Sequence, residues 1–257
     1  TSLEIKRKFI EQQSERGLYP YCTHYLRNIK QRTGEYWHNH FSTIGIVGMN
    51  EALVNFMGKD LTTQEGQEVA IDILKYLREL LIKFQSETGH VYNLEASPAE
   101  GASYRLAKMD VEKFKDIKTA GKNTPYYTNS SQLPVEFTDD IFTMLELQDE
   151  LQSLYTGGTV QHLYLGESIE ETAVAKNLIR KIFTRYKMPY ISITPTFSIC
   201  QDHGYIRGEH FKCPECGRTT EVWSRVTGYL RPVENYNAGK KEEYFNREKF
   251  KVSEKIS

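Results

Sequence analysis

Apolar side chains recur at helical spacing most clearly at Val69, Ile73, Leu77, Leu80, Leu81 and Phe84, in a stretch that ends at Gly89. That period predicts a long amphipathic helix, and Thr62 with Glu65 supplies a capping-box signal at its start. Residues 3–14 also read as a helix, closed by the break Gly17-Leu18-Tyr19-Pro20. Residues 41–48 are short, apolar, β-branched and glycine-bounded, which suits a buried strand. Residues 90–96 read as another strand and 97–101 as a loop. A polar loop over 126–133 ends in Pro134, and an acidic amphipathic helix over 138–155 is closed by Gly157 and Gly158. Residues 159–165 form a strand, Ser168 and Glu171 cap a helix running to about Tyr186, and 189–194 form a strand.

Strands alternating with helices predict an α/β architecture. The alternation stops at Pro195, where a Cys/His-rich segment begins, so the expected organisation is an α/β part over 1–194 and a small subdomain over 195–257. Lys and Arg total 33 against 34 Asp and Glu, a balance that argues against bulk nucleic-acid binding. No apolar run approaches the roughly 20 residues that span a bilayer, and residues 1–6 show no signal-peptide core. With four Cys, three of them clustered near a His, the usage is that of a metal site in a reducing compartment. The expected location is the cytoplasm.

Cys200 and His203, then Cys213 and Cys216, each stand two residues apart, a spacing that lets one tight turn present two ligands to the same ion. Four S/N donors from protein predict a structural, closed zinc site. Gly204 and Gly217 follow the two pairs, where a knuckle needs positive φ. His210 is the rival fourth ligand. Cys22 lies far off and reads as a buried free thiol.

Beyond the knuckle comes Ser224-Arg225-Val226-Thr227-Gly228-Tyr229-Leu230-Arg231-Pro232. Taken alone, Gly228 reads as a turn glycine. The segment resembles the glycyl-radical segment of the anaerobic (class III) ribonucleotide reductases, and the resemblance runs along the chain. It includes His40-Phe41-Ser42-Thr43-Ile44-Gly45-Ile46-Val47-Gly48-Met49-Asn50-Glu51 and Tyr92-Asn93-Leu94-Glu95-Ala96-Ser97-Pro98-Ala99-Glu100-Gly101. It continues through Tyr126-Tyr127-Thr128-Asn129-Ser130-Ser131, Tyr155-Thr156-Gly157-Gly158-Thr159-Val160 and Thr194-Pro195-Thr196-Phe197-Ser198-Ile199-Cys200, to Asn237, Gly239 and Lys240.

The resemblance implies part of the ten-stranded α/β barrel of the reductase and glycyl-radical superfamily, with a zinc-ribbon-like subdomain at its end. It implies anaerobic reduction of ribonucleoside triphosphates to their 2′-deoxy products, which feeds deoxyribonucleotide biosynthesis and DNA replication. It implies that Gly228 is the radical residue, activated by an iron–sulfur protein that cleaves S-adenosylmethionine, with formate, or in some members a thiol, as the reductant. A glycine α-radical is stabilised by the amide nitrogen and carbonyl that flank it, with no side chain to twist them out of plane. Family members are longer and carry a thiyl cysteine upstream that this chain lacks. The chain is therefore expected to be the C-terminal portion or one half of a split enzyme, inactive alone, whose complete form is a homodimer.

Glu95 then reads either as a carboxylate for ribose or protons or as a capping residue. Thr128, Asn129, Ser130 and Ser131 read either as phosphate or ribose donors or as an ordinary polar loop, and Ser42 and Thr43 either line the pocket or pack. Tyr92, Tyr126 and Tyr127 are packing residues or shields of the radical. His24, His38, His90 and His162 are left as structural, and Lys240 and Lys241, followed by Glu242 and Glu243, as solvated. The competing functions are another glycyl-radical enzyme, a replacement radical domain, or a zinc-ribbon binding module. The last would surround the knuckle with basic and aromatic residues, but Glu209, Glu215 and Glu221 offset Lys212, Arg218 and Phe211.

Overall fold

Proline and glycine set the first helices. Pro20 opens α2 (Pro20–Thr33) at a position where its missing N–H is no loss, and Gly34 closes it in the left-handed region at φ 85°. The stretch read as a break is thus the gap between α1 (Ser2–Glu15) and a second helix. The computed structural model describes residues 2–166 and 168–251. The chain divides into two compact units, Thr1–Ile44 with Tyr76–Leu94, and Gly45–Lys75 with Glu95–Ser257.

In the first unit a buried Arg7 on α1 donates to the carbonyls of Trp37 (2.5 Å) and His40 (2.6 Å) and to Ser42 Oγ (2.9 Å). Glu11 accepts from the amides of Tyr36 and Trp37 and from Lys30 Nζ at 2.8 Å. Ser42 is therefore taken up by a structural arginine. Cys22 lies on α2 and is half-buried, not buried as expected.

β1 (Ser42–Ile46) pairs with β2 (Tyr92–Ala96) in a two-stranded sheet. Between them lie α3 (Met49–Met57) and α4 (Gln64–Thr88), the long helix that the periodicity predicts. Its cap is Thr63, whose Oγ1 accepts from Gly66 N at 3.1 Å, while Thr62 is bonded to Asp60. The buried line on α4 is Ala70, Leu74 and Leu81, with Ile73 36 % exposed. The buried face is rotated by about one residue from the expected one, with Ala70 in the core.

α5 (Glu100–Lys113) and α6 (Ile141–Ser153) follow, the latter capped by the Asp140 carboxylate accepting from Phe142 N. β3 (Gln161–Leu165), α7 (Thr172–Arg185) and β4 (Ile191–Pro195) form a parallel strand–helix–strand unit in which Gln161 is aligned with Ile191. Leu163 and Leu165 on β3 and Leu178 and Ile182 on α7 have almost no exposure, each worth about 1.5–3 kcal/mol of burial. Glu171 occupies the α7 cap position without a side-chain bond, so the expected Ser168–Glu171 box does not form.

The last sheet is antiparallel, in the order β6-β5-β7-β8, from β5 (Phe197–Cys200), β6 (Gly204–Arg207), β7 (Glu221–Arg225) and β8 (Leu230–Pro232). α8 (Ala238–Asn246) follows, capped by Asn237 accepting from Lys240 N. The fold is mixed α/β. Among the described residues its strands form three small sheets and no closed barrel. No described helix is long and apolar enough to cross a membrane.

Candidate functional site

The β5–β6 hairpin pairs Cys200 with Gly204, which folds the intervening turn so that His203 faces back on the Cys200 thiol. A second tight turn, bonded from Gly217 N to Cys213 O at 2.8 Å, brings Cys213 and Cys216 together. His203 Nδ1 lies 3.7 Å from Cys200 Sγ and 3.5 Å from Cys213 Sγ, and Cys200 Sγ lies 3.7 Å from Cys216 Sγ. One ligand atom from each of the four residues falls within 4.8 Å of the others. His210 is elsewhere, its Nε2 3.0 Å from the Arg207 carbonyl. Gly204 and Gly217 adopt φ of 72° and 71°, a conformation that strains any side chain. Backbone amides of His203 and Asp202 aimed at Cys200 pull its thiol down to about 6. Three thiols and one imidazole in a tetrahedron-sized cluster fit zinc, with no place left for substrate.

The β7–β8 hairpin carries the second feature. Arg225 faces Leu230 across the ladder, and Val226 N donates to Tyr229 O at 3.0 Å, which leaves Thr227 and Gly228 at the tip. Thr227 is buried and Gly228 exposed. Gly228 is not among the positive-φ glycines, and a Cβ built on it meets nothing within 4 Å. Neither backbone nor packing requires a glycine there.

The loop is held from behind by charge. Arg225 donates to the Gly228 carbonyl at 2.6 Å and to Thr194 Oγ1 at 3.1 Å. Arg247 donates to the carbonyls of Arg225 (3.0 Å) and Val226 (3.2 Å) and to Glu243 Oε1 (2.7 Å). Lys240 bonds Glu243 Oε2 at 2.5 Å and Asn129 Oδ1 at 2.8 Å. Burial works to raise the Glu243 carboxyl, but Lys240 and Arg247 outweigh it and hold it below its ordinary value. Burial pulls the Lys240 ammonium down. Lys240 is 1 % exposed, so the expectation that it is solvated was wrong. Glu243, three residues on, is its counter-ion inside and is shared with Arg247.

A cavity joins these parts. Its walls include residues 96–98 at the end of β2, residues 128–130, His162 and Tyr164 of β3, Glu243 and Thr227 of the glycine loop. Thr128, Asn129 and Ser130 therefore line it, whereas Glu95 and Ser131 do not. Glu95 stands one residue before the wall, where Gly158 leaves space beside its side chain, about 3.6 Å from a Cβ placed there. Among the described residues the Glu95 carboxylate makes no hydrogen bond or ion pair. The hydroxyls of residues 128–131 are already engaged. Thr128 donates to the buried Glu51 at 2.6 Å, and Ser130 and Ser131 share the Tyr155 hydroxyl at 2.7 and 2.9 Å. Tyr127 donates to Asp110 at 2.7 Å, Tyr126 is buried, and Tyr92 is bonded to Glu4, so each has a packing role.

Sequence reasoning missed Glu51, His162 and the α8 cluster. His162 accepts or donates at 2.6 Å to Ser192, and burial, then Arg225 and Arg247, bring its pKa down to about 4. The findable signal for α8 was Asn237 as an N-cap, with Lys240, Glu243 and Arg247 on one face.

Comparison with known proteins places the molecule. The family model described as anaerobic ribonucleoside-triphosphate reductase matches residues 1–250. The anaerobic ribonucleoside-triphosphate reductase of Haemophilus influenzae is 29% identical over 226 residues, covering 80% of this chain and 31% of that protein. The Escherichia coli protein of the same name is 26% identical, with 80% and 30% covered. A solved anaerobic ribonucleotide reductase superposes with a TM-score of 0.75 at 25% identity, covering 96% of this chain and 39% of the other. The Thermotoga maritima anaerobic ribonucleotide reductase, with glycerol in the active site, gives 0.71 at 26% identity, with 95% and 39% covered. The chain spans about a third of the length of these relatives, and it belongs to the anaerobic ribonucleoside-triphosphate reductase family.

Proposed function

We propose that this chain is the radical-storing and zinc-binding portion of an anaerobic ribonucleoside-triphosphate reductase, with Gly228 as the radical residue. The observation that carries the reading is that Gly228 is a glycine without a structural reason: φ is not positive and a side chain would meet nothing. What remains is chemistry that only glycine performs. Gly228 gives up one α-hydrogen atom to the deoxyadenosyl radical formed by an S-adenosylmethionine activase. The unpaired electron left on Cα spreads over the adjoining amide and carbonyl. The Arg225 guanidinium on the Gly228 carbonyl keeps that unit in one orientation, and Arg247 fixes the strand beneath it.

Thr227 puts the loop at the cavity wall, beside residues 128–130. In this reading the cavity takes the ribose end of a ribonucleoside triphosphate, and the Glu95 carboxylate, one residue outside the wall, serves a hydroxyl or proton at its margin. Residues 128–131 present backbone groups and Asn129, since their hydroxyls are occupied by Glu51 and Tyr155. Formate supplies the two electrons of the reduction. The thiyl cysteine comes from protein outside this chain, which also completes the ten-stranded barrel. Exposed Phe9, Tyr21 and Tyr25 on α1 and α2, each at least 57% exposed, support such cover. Cys200, His203, Cys213 and Cys216 hold a structural zinc in the 195–257 subdomain. The complete enzyme is a cytoplasmic homodimer with no role for membrane or nucleic acid.

The test is anaerobic electron paramagnetic resonance of the chain with the complementary reductase region, activase and S-adenosylmethionine. A doublet that disappears in Gly228→Ala is expected. A silent spectrum from components shown to be active, or a doublet retained in Gly228→Ala, would overturn the assignment.

A further inference from the structure

The first unit contains a cluster of donors that plays no part in the site above. Glu35 and His38 lie in the turn after α2, and His90 lies just before β2. His90 Nε2 is 3.3 Å from Glu35 Oε2, and His38 Nδ1 is 3.7 Å from the same oxygen. One ligand atom from each falls within 4.8 Å of the other two. Donors bound to one ion at about 2.0–2.2 Å in tetrahedral array stand roughly 3.3–3.5 Å apart. The carboxylate thus sits between the imidazoles at nearly the separation a shared ion requires.

The second observation is the state of His90. Its Nδ1 lies 2.7 Å from Glu4 Oε2 on α1, and the other Glu4 oxygen is held by the Tyr92 hydroxyl. A carboxylate on one ring nitrogen fixes the tautomer and turns the lone pair of the other outward. That is how metal-binding histidines are oriented by the groups behind them. Here Nε2 faces the Glu35 carboxylate. His38 packs edge-on to His90 with centroids 6.1 Å apart, and its side chain is 38% exposed, which leaves room for water on the open side.

We propose that Glu35, His38 and His90 bind a divalent transition-metal ion of the zinc type, with Glu4 as the positioning carboxylate behind His90. Two imidazoles and one carboxylate suit zinc, cobalt or nickel better than calcium or magnesium, which prefer oxygen alone. Three protein ligands leave at least one position for water or for an acidic group from another molecule. The ion ties the turn after α2 to the segment before β2, and through Glu4 to α1. The site is separate from the thiol-rich knuckle in both sequence and ligand chemistry.

The experiment uses the full 257-residue chain with one equivalent of zinc in the knuckle, titrated with Co²⁺ by calorimetry and visible absorption. A second equivalent is expected, with d–d bands and no thiolate charge-transfer band. His90→Gln and His38→Gln each remove it, and Glu4→Gln weakens it about 10–100-fold. Cys213→Ser removes the knuckle equivalent and leaves this one. His38→Gln guards against a folding defect, since His38 is the more exposed of the two imidazoles, a retained circular-dichroism spectrum being the control. Binding of a single equivalent by the wild-type chain would overturn the proposal. So would a second equivalent that survives both histidine substitutions.

Discussion

The knuckle and the glycine loop are neighbours in sequence and both turn on glycine, yet the residue serves opposite purposes. In the knuckle, Gly204 and Gly217 are imposed by the backbone, at φ of 72° and 71°, so that four donors converge on one point. In the loop, Gly228 is imposed by nothing around it. The knuckle is ordered from the front by its ligands, whereas the loop is ordered from behind by buried charge on α8. The difference separates a glycine that shapes a site from one that is the site.

The largest effect is expected where ligands do the ordering. Cys213→Ser should abolish zinc in the knuckle, measured by metal analysis and by loss of the cobalt–thiolate band. Structural zinc contributes on the order of 10–16 kcal/mol in small metal-folded domains. Hydrogen exchange should rise across 200–217 while the Val226 amide stays protected. Loss of protection in both would show that the two regions are not independently held.

Next is the charge behind the loop. Glu243→Ala leaves Lys240 and Arg247 buried without their anion and should destabilise the chain by about 3–5 kcal/mol in urea denaturation. A change below about 1 kcal/mol would mean that water reaches α8 and that the loop has no fixed backing.

His162 adds a pH dependence to the same region. Its folded pKa of about 4 lies below the ordinary 6.5, so the unfolded chain binds the proton first. The stability it contributes is present above pH 6.5 and is lost as pH falls from 6.5 towards 4. The slope is at most about 1.4 kcal/mol per pH unit. His162→Gln should flatten that part of the stability curve; an unchanged curve would remove His162 from the account.

The smallest effect on stability is the sharpest contrast. Gly204→Ala should lose about 1–2 kcal/mol through its left-handed backbone. Gly228→Ala should stay within about 0.5 kcal/mol by the same denaturation assay. A large loss at Gly228 would return it to the class of structural glycines.

Several elements were legible because their signal is local. The α4 periodicity, the β3–α7–β4 alternation and the paired Cys/His spacing each lie within a few turns of chain. Others were hidden by their own residues. Pro20 reads as a stop but starts α2, and the apolar content of α5 is too low to announce a helix. The serines and threonine of 128–131 read as a solvent-facing loop, but Glu51 and Tyr155 draw them inside. No pattern within 126–133 records partners that lie more than twenty residues away.

By itself the sequence determined which residue types stand at which spacing: the four knuckle donors, the glycines that let them turn, and the segment around Gly228. Ligand geometry and backbone sterics act over a few residues, so they are written in the chain order. Only the tertiary structure decided that Lys240 is buried, that Arg247 props the glycine loop, and that Thr227 shares a cavity with residues 128–130. Those facts rest on desolvated charge and on contacts between distant segments. Their energy exists only once the segments meet.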